Sequence, residues 1–119
     1  MKTKICTDIE QSKKLIELGI DPKTADMNWH SLPNIEPFSR TFPYIHENGA
    51  TEGILPAWSL SALLELMPYC RIETYAGGFF STYYCSHGAM NEVNHFEKCK
   101  TPVDAAFEMV CWLKENEKI

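Results

Sequence analysis

Thr101-Pro102-Val103-Asp104-Ala105-Ala106-Phe107-Glu108-Met109-Val110-Cys111-Trp112-Leu113 is the stretch from which the rest of this chain is read. Thr101 has the hydroxyl of an N-cap, Pro102 suits a first helical turn whose N–H has no partner anyway, and Asp104 is placed to complete a capping box. Val103, Ala106, Phe107, Val110 and Leu113 recur at three- and four-residue intervals as one apolar stripe. Trp112 falls near the edge of that stripe, and Lys114, Glu115, Glu117 and Lys118 form a solvated end. A helix so delimited has to bury its stripe against another layer, so the chain is a folded domain.

Working outward, Thr7-Asp8-Ile9-Glu10 is a second capping box and opens a helix running to about Leu18. Gly19 follows as its left-handed ending, with Ile20 folding back onto Leu15, and Asp21-Pro22 prevents continuation. Ser59 caps a third helix carrying Leu60, Leu63, Leu64 and Met67, which Pro68 stops. Thr24 to His30 reads as a short strand, and Phe42 to His46 as an edge strand inside a Pro- and Gly-broken stretch from Ser31 to Gly53. So long an irregular segment is either a partner-contacting loop or an overlooked strand pair. Arg71–Ala76 and Phe79–Cys85 flank Gly77-Gly78, a two-residue hairpin turn, and Glu92–Lys98 returns after a turn from His87 to Asn91. Strands do not alternate with helices. The expected architecture is a single α+β domain over residues 1–119: a mainly antiparallel sheet of three to five strands with about three helices packed on one face.

Composition sets the exclusions. At 45% apolar and 23% charged residues the chain lies near the globular average, which excludes wholesale disorder. A net charge of −5 argues against direct nucleic-acid binding, which needs a basic stripe to displace counterions. No apolar run is long enough to span a bilayer, and the first residues lack a signal-peptide core, so the expected address is cytoplasmic. Cys6, Cys70, Cys85, Cys99 and Cys111 are odd in number and contain no CxxC pair, so free thiols are expected rather than a disulfide framework.

Cys85-x-His87 and His95-x₃-Cys99 together form a Cys₂His₂ set, the ligand types of tetrahedral zinc. Their spacing is unlike a zinc knuckle: one pair ends a strand, with His87 in the following turn, and gathering all four on one ion distorts the ladder. A cysteine nucleophile paired with one of these histidines is the related enzymatic reading. No cysteine follows a glycine-rich approach to a helix, although Cys6 precedes the Thr7 cap, where a helix dipole lowers a thiol pKa. The chain has no GxSxG, HExxH, P-loop or dinucleotide-binding signature, and no cofactor is expected. Tyr75, Phe79, Phe80, Tyr83 and Tyr84 are an aromatic run without the lysines and arginines of a base-stacking surface, and so read as packing residues.

Pro56-Ala57-Trp58-Ser59-Leu60-Ser61-Ala62-Leu63-Leu64-Glu65-Leu66-Met67-Pro68 and the Thr101–Leu113 segment, with Ile5–Leu15 and Thr24-Ala25-Asp26-Met27, carry a resemblance. They resemble a set of small uncharacterised proteins of gut anaerobic bacteria and of their phages and mobile elements. The matching segments cover about half the chain and are also its capped, core-building parts. The resemblance implies a prokaryotic or phage cytoplasm and brings no activity and no catalytic residues.

The leading expectation is a non-enzymatic accessory protein of phage or mobile-element type that binds another protein through Phe38, Phe42 and Tyr44 of the broken loop. A small hydrolase or transferase using Cys85, His87, His95 or Cys99 is the alternative, and a homodimer closed through the aromatic strands is the third.

Overall fold

The computed structural model describes residues 4–30, 44–45, 54–77, 80–88 and 95–119. Among them are three α-helices: α1 (Ile9–Glu17), α2 (Leu60–Glu65) and α3 (Pro102–Glu115). Six strands accompany them: β1 (Met27–His30), β2 (Tyr44–Ile45), β3 (Ile54–Ala57), β4 (Cys70–Gly77), β5 (Phe80–His87) and β6 (His95–Cys99). The class is α+β with antiparallel pairing throughout, as expected, but the strands divide into two sheets of order β2-β1-β3 and β4-β5-β6. The overlooked strand is β3, which pairs with β1 over four positions and leads into the Ser59 cap. Pro56 sits in it and Trp58 follows directly, a composition that reads as a helix approach when taken alone.

Helix ends follow local chemistry with two corrections. The α1 ending is the anticipated Schellman closure: Gly19 has φ +94°, and the Ile20 N–H reaches the Leu15 carbonyl at 3.0 Å. Its beginning lies one residue later than expected. Asp8 rather than Thr7 is the cap and closes a box with Gln11. Thr7 is taken by tertiary bonds: its N–H donates to the Trp58 carbonyl at 2.9 Å, its hydroxyl accepts from the Trp58 N–H at 3.1 Å, and its carbonyl accepts from the Trp29 indole at 3.0 Å. Thr101 caps α3 as expected, accepting from the Asp104 N–H at 3.0 Å. The Asp104 carboxylate, however, turns to Lys4 at 2.6 Å and to the Gln11 amide at 2.8 Å, tying the starts of α1 and α3 together. Burial opposes charge at both Lys4 and Asp104. Burial is the largest single effect at each, but their mutual bond together with Asp8 at Lys4, and with Gln11 and Thr101 at Asp104, outweighs it, holding the amine above and the carboxyl below their ordinary pKa ranges.

The core is organised by α3, which lies across β4, β5 and β6 and also meets α2. Its buried side is wider than the predicted stripe: Ala105, Met109 and Cys111 are enclosed along with Val103, Ala106, Phe107, Val110 and Leu113. A helix buried over so much of its circumference is covered from two sides, here by the sheet and by α2. Ser59 is positioned as the α2 cap by Asp26, whose carboxylate accepts from both its N–H and its hydroxyl.

One buried residue runs against this economy. Asn28, in β1, is 1% exposed, and neither its amide nitrogen nor its carbonyl oxygen has a hydrogen-bond partner among the described residues. Each such group costs about 1–3 kcal/mol relative to a satisfied one. Leucine has the same branching without the polar atoms, so Asn28→Leu is expected to raise the urea midpoint, corresponding to a gain of about 1–3 kcal/mol. A lowered midpoint would show that the amide is held by a polar group after all.

Candidate functional site

Side chains two residues apart on a strand share a face, and the registers of the second sheet bring five chemically active residues to one side. Cys70 lies opposite His87, Ile72 opposite Cys85, and Glu97 opposite Cys85 on the other flank. His87 is also opposite His95, and Tyr83 is opposite Cys99. Cys70, Cys85, His87, His95 and Cys99 therefore stand at face-sharing positions, on the side where Cys85 joins the core under α3.

The anticipated metal set is spread along this face. His87 is not in a turn; it is the last residue of β5. His95 and Cys99 occupy opposite ends of β6, about 13 Å apart at ~3.3 Å per residue. Zinc holds its ligands at about 2.0–2.3 Å, so a shared ion would need the His95 and Cys99 side chains to converge from the two ends of the strand. Among the described residues no group of three or more His, Cys, Asp or Glu side chains is arranged to hold a metal ion. The His95 side chain lies outside the described residues, as do Phe38, Phe42 and the side chain of Tyr44.

The structure adds Cys70 in their place, a residue with no role in the sequence reading. Its sulfur lies 3.6 Å from Nδ1 of His87. The same Nδ1 lies 3.2 Å from the Pro68 carbonyl oxygen. A carbonyl only accepts, so Nδ1 carries the hydrogen and donates, and what it offers the Cys70 sulfur is also a donor. His87 thus stabilises a thiolate rather than withdrawing a proton through this nitrogen. The imidazole leans on the Trp112 indole of α3, with ring centroids 6.2 Å apart and planes inclined at 51°.

The chain enters this site through a strained residue. Tyr69 has φ +55°, a left-handed conformation that bulky side chains rarely adopt, and its side chain is 79% exposed. Two contacts hold it there: the Gly88 N–H donates to the Tyr69 carbonyl at 3.1 Å, and His87 donates to Pro68. Strain of this kind, roughly 1–3 kcal/mol, persists where surrounding contacts over-determine the backbone, and such places cluster at functional sites.

All five thiols are free, and Cys70 stands apart from the other four. The Cys85 thiol beside it favours its anionic form most. Burial works in the other direction, His87 adds to the first effect, and the result is a pKa lowered to about 6. Cys85 is pushed far upward by the neighbouring Cys70 and by burial, so it stays protonated as the donor of the pair. Burial raises Cys6 and Cys99 to about 11 and Cys111 to about 12. The dipole effect expected at Cys6 is thus overridden by its enclosure, since that thiol is only 3% exposed.

Comparison of the chain with known protein families, with curated proteins and with solved structures finds no match. Among the described residues no helix is long and apolar enough to cross a membrane.

Proposed function

We propose that this protein acts through a nucleophilic thiolate at Cys70, stabilised by donors from His87 and Cys85, in transfer or exchange chemistry with soft electrophiles. The observation that carries the reading is the placement of Nδ1–H of His87 between the Pro68 carbonyl and the Cys70 sulfur. Thiolate, not thiol, is the attacking species, and a donor fixed in place before reaction keeps it populated near neutrality. Relative to the enzymatic alternative drawn from sequence, the nucleophile moves from Cys85 or Cys99 to Cys70, and His87 keeps a place at the site.

The test is the rate of alkylation of each cysteine by iodoacetamide as a function of pH, followed by peptide mapping. The groups facing Cys70 that enter the profile are Cys85 and His87. With a pKa of about 6, Cys70 is half thiolate at pH 6. An ordinary thiol is ionised to about 0.3% there, a difference of roughly 150-fold. Lower basicity removes about 10- to 20-fold of that advantage, leaving Cys70 about tenfold faster than a denatured-chain cysteine at pH 6. Its profile should also flatten above pH 7, while the denatured chain continues to accelerate. A midpoint for Cys70 near that of an ordinary thiol defeats the reading.

A binding role is a second reading, favoured by Tyr69, which directly precedes Cys70 in the chain and is 79% exposed. It keeps the idea of an accessory protein acting on another protein but moves the contact from the Phe38, Phe42 and Tyr44 loop to the rim of the thiol site. Retention of one defined partner by the wild type and its loss in Tyr69→Ala would support it. Equal retention by both discards it.

A further inference from the structure

Three thiols share the sheet face, yet their registers keep them from pairing. Cys70 is opposite His87, and Cys85 is opposite Ile72, so the two cysteines are diagonal neighbours across the β4–β5 ladder. Diagonal positions have Cβ atoms about 7–8 Å apart or somewhat less, whereas a disulfide needs about 3.5–4.5 Å. The Cys85 thiol nonetheless reaches the Cys70 sulfur as a hydrogen-bond partner. Setting Cys70 directly opposite Cys85 would take a two-residue slip of β4 along its ladder of eight paired positions. Cys99 lies farther along the face, opposite Tyr83. Access is just as selective. Cys85, Cys6 and Cys111 are 0%, 3% and 3% exposed, while Cys70 and Cys99 are half-buried. Of these two, Cys70 is the one that, among the described residues, has an imidazole N–H against its sulfur and follows an exposed, left-handed residue.

We infer that Cys70 is a site of reversible S-thiolation, which takes up one half of a low-molecular-weight disulfide and retains it as a mixed disulfide because no second thiol is in register to expel it. This rests on the thiolate reading above and names its co-substrate. The Cys70 thiolate attacks one sulfur of R–S–S–R, and a Cys70–S–S–R bond forms as the original S–S bond breaks. The departing electron pair leaves on RS⁻, which takes a proton from solvent. The small disulfide is the oxidant, and a free thiol RSH reverses the step.

The experiment treats the reduced full chain at pH 7 with 2-hydroxyethyl disulfide, a neutral probe, and reads intact mass and non-reducing peptide maps. One hydroxyethylthio group on Cys70 is expected, surviving for hours after excess reagent is removed, reversed by dithiothreitol and absent in Cys70→Ser. Peptide mapping of the wild type locates the adduct independently of whether that variant folds. Loss of the adduct with appearance of a Cys70–Cys85-linked peptide overturns the inference and leaves the thiolate standing. So does failure to form an adduct when iodoacetamide still selects Cys70 at pH 6. Indiscriminate thiolation together with unselective alkylation defeats both.

Discussion

Trp58→Ala should remove about 3–5 kcal/mol of stability, seen as a large drop in the urea midpoint at nearly constant slope. Trp58 is fully enclosed, and its indole N–H donates to the Thr24 hydroxyl at 2.9 Å. Its backbone also exchanges two hydrogen bonds with Thr7, which joins the segment before α1 to the end of β3. Truncation therefore leaves a cavity in the apolar cluster and removes the donor to the Thr24 hydroxyl, which keeps its own bond to the Asp21 carbonyl. With a total stability of about 5–15 kcal/mol for a domain of this kind, the loss is a large share of the whole. Trp58→Phe retains most of the volume and should lose clearly less, the difference reporting the indole bond and residual space. A midpoint for Trp58→Ala within measurement error of wild type would contradict the packing described above.

Cys85→Ala should move the alkylation midpoint of Cys70 upward, toward that of an ordinary thiol, with its thiolate population at pH 6 falling by about five- to fiftyfold. Cys85 contributes the largest favourable effect on that thiolate, ahead of His87. A hydrogen bond to a charged group is worth about 1.5–3 kcal/mol, which corresponds to roughly a ten- to hundredfold change in equilibrium. His87→Phe keeps an aromatic ring against Trp112 and removes only the donor. It should shift the midpoint in the same direction by less, since His87 ranks after Cys85 among the effects. The sign is fixed by chemistry: each donor stabilises the anion, so removing it makes the thiol hold its proton to higher pH. Folding of both variants is checked by near-UV circular dichroism, because Cys85 is itself a core residue. An unchanged midpoint in both would remove the donor arrangement as the cause of Cys70 reactivity.

Reading these residues from sequence succeeded where the deciding physics is local. Gly19, Ile20 and Leu15 form the expected helix ending because a left-handed glycine and a back-folded apolar residue need only six consecutive positions. Ser59 and Thr101 cap their helices for the same reason. Thr7 failed as a cap because a buried strand end claimed it, and that strand end is fifty residues away. The candidate site was legible in part: Cys85 and His87 were picked out as neighbours on one strand, but the residue that makes them a thiol site lies across the hairpin.

That hairpin marks the boundary between the two kinds of information. Placing the turn at Gly77-Gly78 would set Cys70 directly opposite Cys85. In the fold β4 runs through Gly77 and β5 begins at Phe80, so Cys70 faces His87 instead. Both registers turn the same residues inward, because a shift of two preserves the alternation, and the hydrophobic pattern is therefore blind to the choice. Sequence alone determined the Gly19, Ser59 and Thr101 helix ends, the α+β class and the central apolar stripe of α3. Contacts from outside the hairpin accompany the register: Trp112 against His87, and His87 and Gly88 against the Pro68-Tyr69 turn. Tertiary structure thus decided whether two cysteines would meet as a disulfide or one would meet a histidine as a thiolate, since interactions distant in sequence discriminate between registers that local patterning leaves equal.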